Sequence, residues 1–314
     1  MSPTKLIDLH PFEYEHPFDA AALNALHKVT GLETLMRQFN KHAIERVFTI
    51  KCTGSNLKVT PRNYPDIYGL LRQACEVINC PDVPDLYIEW GYAINGYTIG
   101  VDHPIIVLQS GCIDLLTESE LYCVIGHEIG HIKSRHTLYH QMAQALPFLA
   151  GIIGNATLGL GNLVSLPLQF ALLKWQRMSE LTADRAGLLA AQDKSAFMQL
   201  LTKMAGIPLK NFASINCEEF IQQARDFDKL DDDKLNTLVK WAQIAGQDHP
   251  WTVLRAAELL RWIESGEYDA VLKRTTRDKI HKVSSDGGTS CRNCGFRLQG
   301  NEKFCPTCGE SLSA

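Results

Sequence analysis

Residues Thr117 to His136 read TESELYCVIGHEIGHIKSRH and carry the clearest structural signal in the chain. Its first four residues form a capping box, in which Thr117 is the N-cap and Glu120 reaches back to the backbone. Apolar residues then recur at helical spacing, and basic residues, including His136, lie near the far end, where cations suit the helix dipole. The sequence therefore predicts one helix over about 117–136.

Inside this predicted helix lies an H-E-x-x-H pentapeptide, with His127, Glu128 and His131. Because the two histidines are four residues apart, a helix places both on one face, about a turn apart. Two imidazoles at that spacing can bind one Zn²⁺, and Glu128 beside them can take a proton from a metal-activated water. The alternative that stays open is a buried helix with two incidental histidines.

A third metal ligand is expected, since a zinc hydrolase usually has three protein ligands and leaves one position for water. The best candidate is Glu180, which Asp184 follows four residues later. On a helix, Glu180 could bind the metal, and Asp184 could hold a ligand histidine by its other ring nitrogen. On spacing alone, a solvated acidic face that pairs with Arg177 and Arg185 explains these residues equally well.

Together these residues resemble the HtpX-type family of zinc metallopeptidases, which includes the CAAX prenyl endopeptidases. The resemblance rests on H-E-x-x-H at 127–131 and E-x-x-x-D at 180–184, and it covers about residues 86–261. Two weaker family features are a strand with Ile-Asn-Gly-Tyr-Thr at 94–98 and a His-Pro at 249–250 with an arginine at 255. Gly96 and Tyr97 depart from the Ala and Phe that are usual in the family.

The fold class predicted is α+β and mostly helical. The resemblance implies a zincin-like metallopeptidase domain with a small antiparallel sheet. Outside that domain, the stretch from Phe48 to Val59 could form a pair of strands around Gly54-Ser55-Asn56.

The resemblance also implies roles in peptide hydrolysis. Glu128 would accept the proton of the water and pass it to the leaving amine, and His249 would stabilise the oxyanion. Arg255 would orient Asp184 or the loop of His249. The open alternative for His249 is a helix cap before the proline that follows it.

Substrate binding is expected at the strand that carries Asn95 and Tyr97. The resemblance implies that this strand holds an extended peptide by strand addition, a mode that tolerates many sequences. The alternative for Asn95 is an ordinary Asn-Gly turn, which the glycine after it favours.

A second zinc site is predicted at the C-terminus, after a Ser/Gly-rich linker at 284–290. Two C-x-x-C-G motifs follow, and four thiolates close a tetrahedral structural site that would supply the folding energy of a zinc ribbon. The predicted ligands are Cys291, Cys294, Cys305 and Cys308. The alternatives are a redox dithiol pair or an unfolded tail. The other six cysteines show no shared spacing and are interpreted as buried or half-buried thiols.

The chain is expected to divide into four parts. Residues 1–85 form an N-terminal segment of helices and strands on the catalytic domain, 86–275 the metallopeptidase domain, 276–290 a linker and 291–309 the ribbon. The net charge of −4 predicts no strong attraction to nucleic acid. Without a charged-then-apolar N-terminal signal, the expected location is the cytoplasm, with reduced thiols.

Residues 141–173 carry no charged side chain and form an insert within the metallopeptidase domain. If His131 and Glu180 share a metal, this insert must return to its starting side, and about 33 residues are too few for two membrane spans of about 20 residues each plus a turn. The segment is therefore expected to be a helical hairpin. It either covers the catalytic domain or touches a membrane surface.

The activity that the resemblance implies is that of a zinc-dependent endopeptidase acting on unfolded or membrane-associated proteins. Its cofactors would be one catalytic and one structural zinc ion. The ribbon could bind a protein partner. The alternative from another class is a non-catalytic, chaperone-like zinc scaffold, against which the presence of Glu128 argues, because a scaffold needs no base.

Overall fold

Helices surround one small sheet in the computed structural model of this chain, which describes residues 3–19, 45–141, 143, 160–214, 216–229 and 251–273. The helices are α1 (Glu45–Ser55), α2 (Pro65–Val77), α3 (Ser110–Leu115), α4 (Glu118–Lys133), α5 (Leu160–Ala191), α6 (Lys194–Met204), α7 (Cys217–Lys229), α8 (Thr252–Glu264) and α9 (Glu267–Leu272). Short 3-10 turns occur at Pro11–Glu13 and Leu209–Ser214. The predicted α+β, mostly helical class is confirmed.

The sheet contains the strands β1 (Leu57–Lys58), β2 (Asp85–Glu89), β3 (Gly96–Ile99) and β4 (Ile105–Gln109), in the order β1-β2-β4-β3. It is mixed, so the prediction of an antiparallel sheet was wrong for one pair: β2 and β4 run parallel. The reason is that β3 lies at the edge and turns back at Gly100 (φ 95°), so that β4 inserts between β3 and β2. Buried on nearly its whole length, β4 has the burial pattern of a central strand.

Helix α1 occupies most of the stretch for which the sequence predicted two strands. Cys52 is its one buried side chain, so the choice between helix and strand was not dictated by a hydrophobic face. The hydroxyls of Thr49 and Ser55 donate to the carbonyls four residues earlier, at 2.7 and 2.6 Å. These local bonds are compatible with a helix, and only β1 remains as strand.

The N-terminal segment 3–19 lies across the catalytic helices. The N–H of Leu6 donates to the carbonyl of Val77 at 2.7 Å, and Thr4 exchanges two hydrogen bonds with the side chain of Gln192. Leu6, Leu9 and Tyr14 join the main hydrophobic core. The segment therefore packs on α2 and α5 along its length.

Helix α5 takes up the second half of the uncharged stretch 141–173 and continues to Ala191. The rest of that stretch lies largely outside the described residues, including the turn of the predicted hairpin. Within the described part of the chain, no helix combines the length and apolarity needed to cross a membrane.

Candidate metal centre

Helix α4 holds the metal motif in the protein interior. Its capping box forms as predicted: the N–H of Thr117 donates to Glu120 Oε2 at 2.7 Å, and the N–H of Glu120 donates to Thr117 Oγ1 at 3.4 Å. Lys203 Nζ lies 2.6 Å from the same carboxylate oxygen. Residues 127–131 are all buried. The helix ends at Lys133, three residues earlier than predicted.

Small residues let helices α4 and α5 approach each other closely. A Cβ added at Gly126 would lie 2.6 Å from Cβ of Ala190, and one at Gly130 would lie 2.6 Å from Cβ of Ala186. A Cβ at Gly187, on α5, would lie 2.9 Å from a carbonyl oxygen of α4. This near contact of backbones brings the carboxylates of α5 to the histidines of α4.

His127, His131 and Glu180 meet at one point between the two helices. The Nε2 atoms of the histidines are 3.1 Å apart, and they lie 3.5 and 3.3 Å from the two carboxylate oxygens of Glu180. Ligands bound to zinc at 2.0–2.1 Å in a tetrahedron would be about 3.3–3.4 Å apart. The three side chains could therefore hold a metal ion with little movement, and their donor set of two imidazoles and a carboxylate suits zinc.

Asp184 lies behind His127 and is itself held by Arg255. Its Oδ1 is 2.9 Å from Nδ1 of His127, and Arg255 donates to its two oxygens at 2.8 and 2.5 Å. All three side chains are buried. The Nε2 of His127 is thus left to face the metal position, as expected for a histidine oriented by a carboxylate.

The charges around His127 shift the pKa values of the group. Burial alone would raise the pKa of Asp184, but the Arg255 guanidinium and the bonds from Arg255 and His127 lower it below its ordinary value. Burial alone would lower the pKa of His127, but hydrogen bonds and charge from Asp184 and Glu180 raise it to about 10. A metal ion therefore has to displace a proton from this imidazole.

The side chain of Glu128 reaches toward the sheet. Thr98 on β3 donates from its hydroxyl to Glu128 Oε2 at 2.6 Å. A Cβ at Gly96, two residues earlier on the same face of β3, would lie 3.1 Å from Glu128 Oε1. The carboxylate is thus held beside the start of β3, and no larger side chain stands between them.

Of the two residues predicted to bind substrate, Tyr97 lies on this strand and Asn95 just before it. Asn95 is exposed just before β3, and its carbonyl accepts from the N–H of Gln109 at 3.0 Å, so it does not form a simple hairpin turn. The side chain of Tyr97 packs on the other face of the sheet and donates its hydroxyl to Glu89 at 3.0 Å. The side chain of Tyr97 thus lies on the face of the sheet opposite to Glu128, and its backbone lies on the strand itself.

Some predicted site residues are not covered by the structure. His249 lies outside the described residues, and so do the four cysteines predicted to bind a structural zinc ion: Cys291, Cys294, Cys305 and Cys308. Arg255 is described and contacts Asp184.

Two residues near the centre were not singled out from the sequence. Thr98 could have been found from strand alternation, since it shares a face of β3 with Gly96. His136 was interpreted only as a basic residue at the helix end, yet its Nδ1 lies 2.9 Å from Nδ1 of His131. Its contact depends on the turn after α4, where Arg135 has φ 60°, and no local pattern predicts that.

Comparison with known proteins agrees with this geometry. The family model described as peptidase family M48 matches residues 63–263. The chain is 33% identical over 284 residues to the plastoglobule-localized metallopeptidase 48, chloroplastic, of Arabidopsis thaliana. This alignment covers 90% of the chain and 81% of the relative. It is 25% identical over 237 residues to a protease HtpX homolog of Ralstonia pickettii (strain 12J), covering 68% and 79%. No solved structure matches the chain. The family expected from the sequence is confirmed: the chain belongs to peptidase family M48 and is a metallopeptidase.

Proposed function

We propose that this protein is a zinc-dependent endopeptidase with His127, His131 and Glu180 as metal ligands and Glu128 as general base. The observation that carries the proposal is the convergence of three buried ligand side chains, whose ligand atoms lie 3.1–3.5 Å apart, with the buried acidic residue Glu128 adjacent to His127 on the same helix. Zinc bound there would polarise the scissile carbonyl and lower the pKa of water to about 7.

Glu128 is the group that would move protons. It would accept a proton from the attacking water and hand it to the leaving amine. The hydroxyl of Thr98 donates a hydrogen bond to Oε2 of Glu128 at 2.6 Å. It makes no such bond to Oε1. One oxygen would thus orient the carboxylate, and the other would take part in proton transfer.

The substrate class is an extended polypeptide. Among the described strands, β3 pairs with β4 on one side only, and it begins beside Glu128. A peptide added as a further strand would place its backbone next to the general base. Asn95, which is exposed at the start of β3, would contact this peptide, whereas Tyr97 would contribute main-chain groups. Such binding selects unfolded segments, because a folded protein rarely offers a free strand.

The remaining roles follow the family resemblance. His249 would donate to the oxyanion that develops on the substrate carbonyl. Arg255 would act through Asp184, which it contacts twice, and thereby on the orientation of His127.

The C-terminal part of the chain is proposed to be a separate zinc ribbon at 291–309, joined by the linker 276–290 to a catalytic domain at 86–275 on which residues 1–85 pack. Full-length protein should then hold about two zinc ions, and a chain ending near Ser285 about one. An unchanged zinc content after truncation would refute the ribbon. The ribbon is proposed to bind a protein partner.

A cytoplasmic location with contact to a lipid surface is also proposed. The support for lipid contact is the uncharged stretch 141–173, together with the name of the Arabidopsis relative, which places that protein at plastoglobules. Flotation of the full chain with liposomes tests this directly. Protein that stays at the bottom of the gradient at every lipid composition would contradict it.

Cleavage of unfolded casein tests the catalytic proposal. Wild-type protein should produce internal fragments that mass spectrometry can map, and His127→Ala should produce none. A second substrate protein, offered once folded and once unfolded, should be cut only in its unfolded form. Zinc binding without cleavage of casein or of any peptide in a library would instead favour a scaffold.

A further inference from the structure

The N-terminal segment 3–19 reaches the metal centre from outside the region 63–263 that the family model matches. Near its end, the hydroxyls of Tyr14 and Ser134 are 3.0 Å apart, at the turn that follows α4. Arg185 on α5 donates to the carbonyl of Glu15 at 3.2 Å. These contacts fix the path of the segment and bring Asp19 to α5 and to His136, just after the turn that follows α4.

Asp19 is fully buried there and accepts two hydrogen bonds on one oxygen. Thr182 on α5 donates its hydroxyl to Asp19 Oδ2 at 2.6 Å, and Nε2 of His136 lies 3.1 Å from the same oxygen. Burial alone would raise the pKa of Asp19, but the neighbouring His136 and the bonds from His136 and Thr182 bring it below its ordinary value. Oδ2 of Asp19 is therefore placed to accept from both side chains.

The direction of each hydrogen bond follows from the metal position. If Nε2 of His131 offers its lone pair to a metal, the neutral ring carries its proton on Nδ1. That proton is donated to Nδ1 of His136 across 2.9 Å. Nδ1 of His136 is then an acceptor, so the proton of His136 sits on Nε2 and is donated to Asp19. Each donor in this chain has one acceptor.

We propose that Asp19 is a positioning residue of the metal centre and acts on His131 through His136. The inference rests on the proposed function, because it takes His131 as a metal ligand. His127 has its carboxylate, Asp184, in direct contact, whereas His131 has a carboxylate one imidazole away. In both cases the outer partner fixes the tautomer and the plane of the ring and makes the metal-binding nitrogen more basic. The N-terminal segment is thus a part of the metal centre.

Zinc affinity of the full-length chain tests this inference. Zinc would be titrated in competition with a chelating dye, and the binding class that His127→Ala abolishes identifies the His/Glu site. Asp19→Asn and His136→Phe should each weaken that class by about 10–100-fold. His136→Gln, which keeps an acceptor and a donor, should retain more affinity than His136→Phe. Cobalt-substituted Asp19→Asn protein should show shifted visible absorption bands.

A matched control separates positioning from the docking of the segment. His16 Nε2 lies 3.1 Å from Glu258 Oε2, a second buried contact between the segment and the catalytic helices that does not touch His136. Glu258→Gln should lower the free energy of unfolding but leave zinc affinity within about twofold of wild type. If Glu258→Gln and Asp19→Asn lower zinc affinity equally, the inference is overturned.

The remaining outcomes are also decisive. If His127→Ala weakens zinc binding while Asp19→Asn and His136→Phe do not, the relay is wrong and the metal site stands. If His127→Ala leaves every binding class intact, the metal site itself is wrong and the inference falls with it. Should Asp19→Asn fail to fold, the comparison of His136→Gln with His136→Phe still decides.

Discussion

Replacing Asp184 with asparagine would remove a charge from the centre of the molecule and leave its volume unchanged. The side chain is 1% exposed and faces Arg255, which is 5% exposed, and His127. The amide oxygen can still accept from one partner, but the NH₂ group must then face a donor of the other. The buried cation and the proposed metal ligand would both lose the negative charge, and one of them would also lose its hydrogen-bond acceptor.

Two losses of different size follow from these contacts. Leaving Arg255 without its counter-charge should lower the free energy of unfolding by about 3–5 kcal/mol. Loss of the outer partner of His127 should weaken zinc binding about 10–100-fold, which corresponds to about 1.4–2.8 kcal/mol. The stability loss should therefore exceed the loss of binding free energy.

Urea unfolding and zinc competition on the same preparations would measure both quantities. Glu120→Gln is the matched control, since Glu120 is also 1% exposed, also pairs with a cation, and lies on α4 without touching a metal-binding side chain. It should lower stability and leave zinc affinity unchanged. If Asp184→Asn binds zinc as tightly as Glu120→Gln, Asp184 does not orient His127 and this reasoning fails.

Three further predictions address the base, the helix contact and the N-terminal segment. Thr98→Val should lower turnover of casein, by less than the loss of about 10²–10⁴-fold expected on removing the general base Glu128, since it frees the carboxylate without deleting it. Gly130→Ala should lower the free energy of unfolding by about 1–3 kcal/mol through overpacking, whereas Gly69→Ala, whose added Cβ would meet no atom within 4 Å, should raise it by up to about 1 kcal/mol in urea melts. Burial and the charge of Asp19 raise the pKa of Glu15 from 4.5 to about 8. Between these pH values the unfolded chain loses a proton that the folded chain keeps, so the free energy of unfolding falls as pH rises. Glu15→Gln should make the free energy of unfolding depend less on pH in melts at about pH 5 and 8.5, and an equal pH dependence in wild type and mutant would contradict this.

Local signals in the sequence were sufficient for the metal helix. Thr117 and Glu120 predict where the helix begins, and the spacing of His127 and His131 places both on one face of it. The spacing of Glu180 and Asp184 likewise predicted one helical face. Their meeting with the histidines, however, depends on the small residues of α4 and α5, because only a close approach of backbones brings the ligand atoms within 3.5 Å.

Contacts between distant parts of the chain were not accessible from the sequence. Asp19 lies more than a hundred residues from His136, and its role depends on the path of a segment with few regular elements. The parallel pairing of β2 and β4 results from the insertion of β4 beside β2, which alternation of residues cannot predict. Helix α1 was mistaken for strands because one buried side chain leaves no periodic face to recognise.

His127, His131 and Glu180 are proposed to hold zinc while Glu128 moves the proton, and this division of roles can be measured. It is tested most directly by measuring zinc content and casein turnover in the same preparations of wild-type protein and Glu128→Gln. Zinc content should be equal in the two proteins, and turnover should be lower by about 10²–10⁴-fold or more in Glu128→Gln. Undiminished turnover in Glu128→Gln at full zinc occupancy would contradict it.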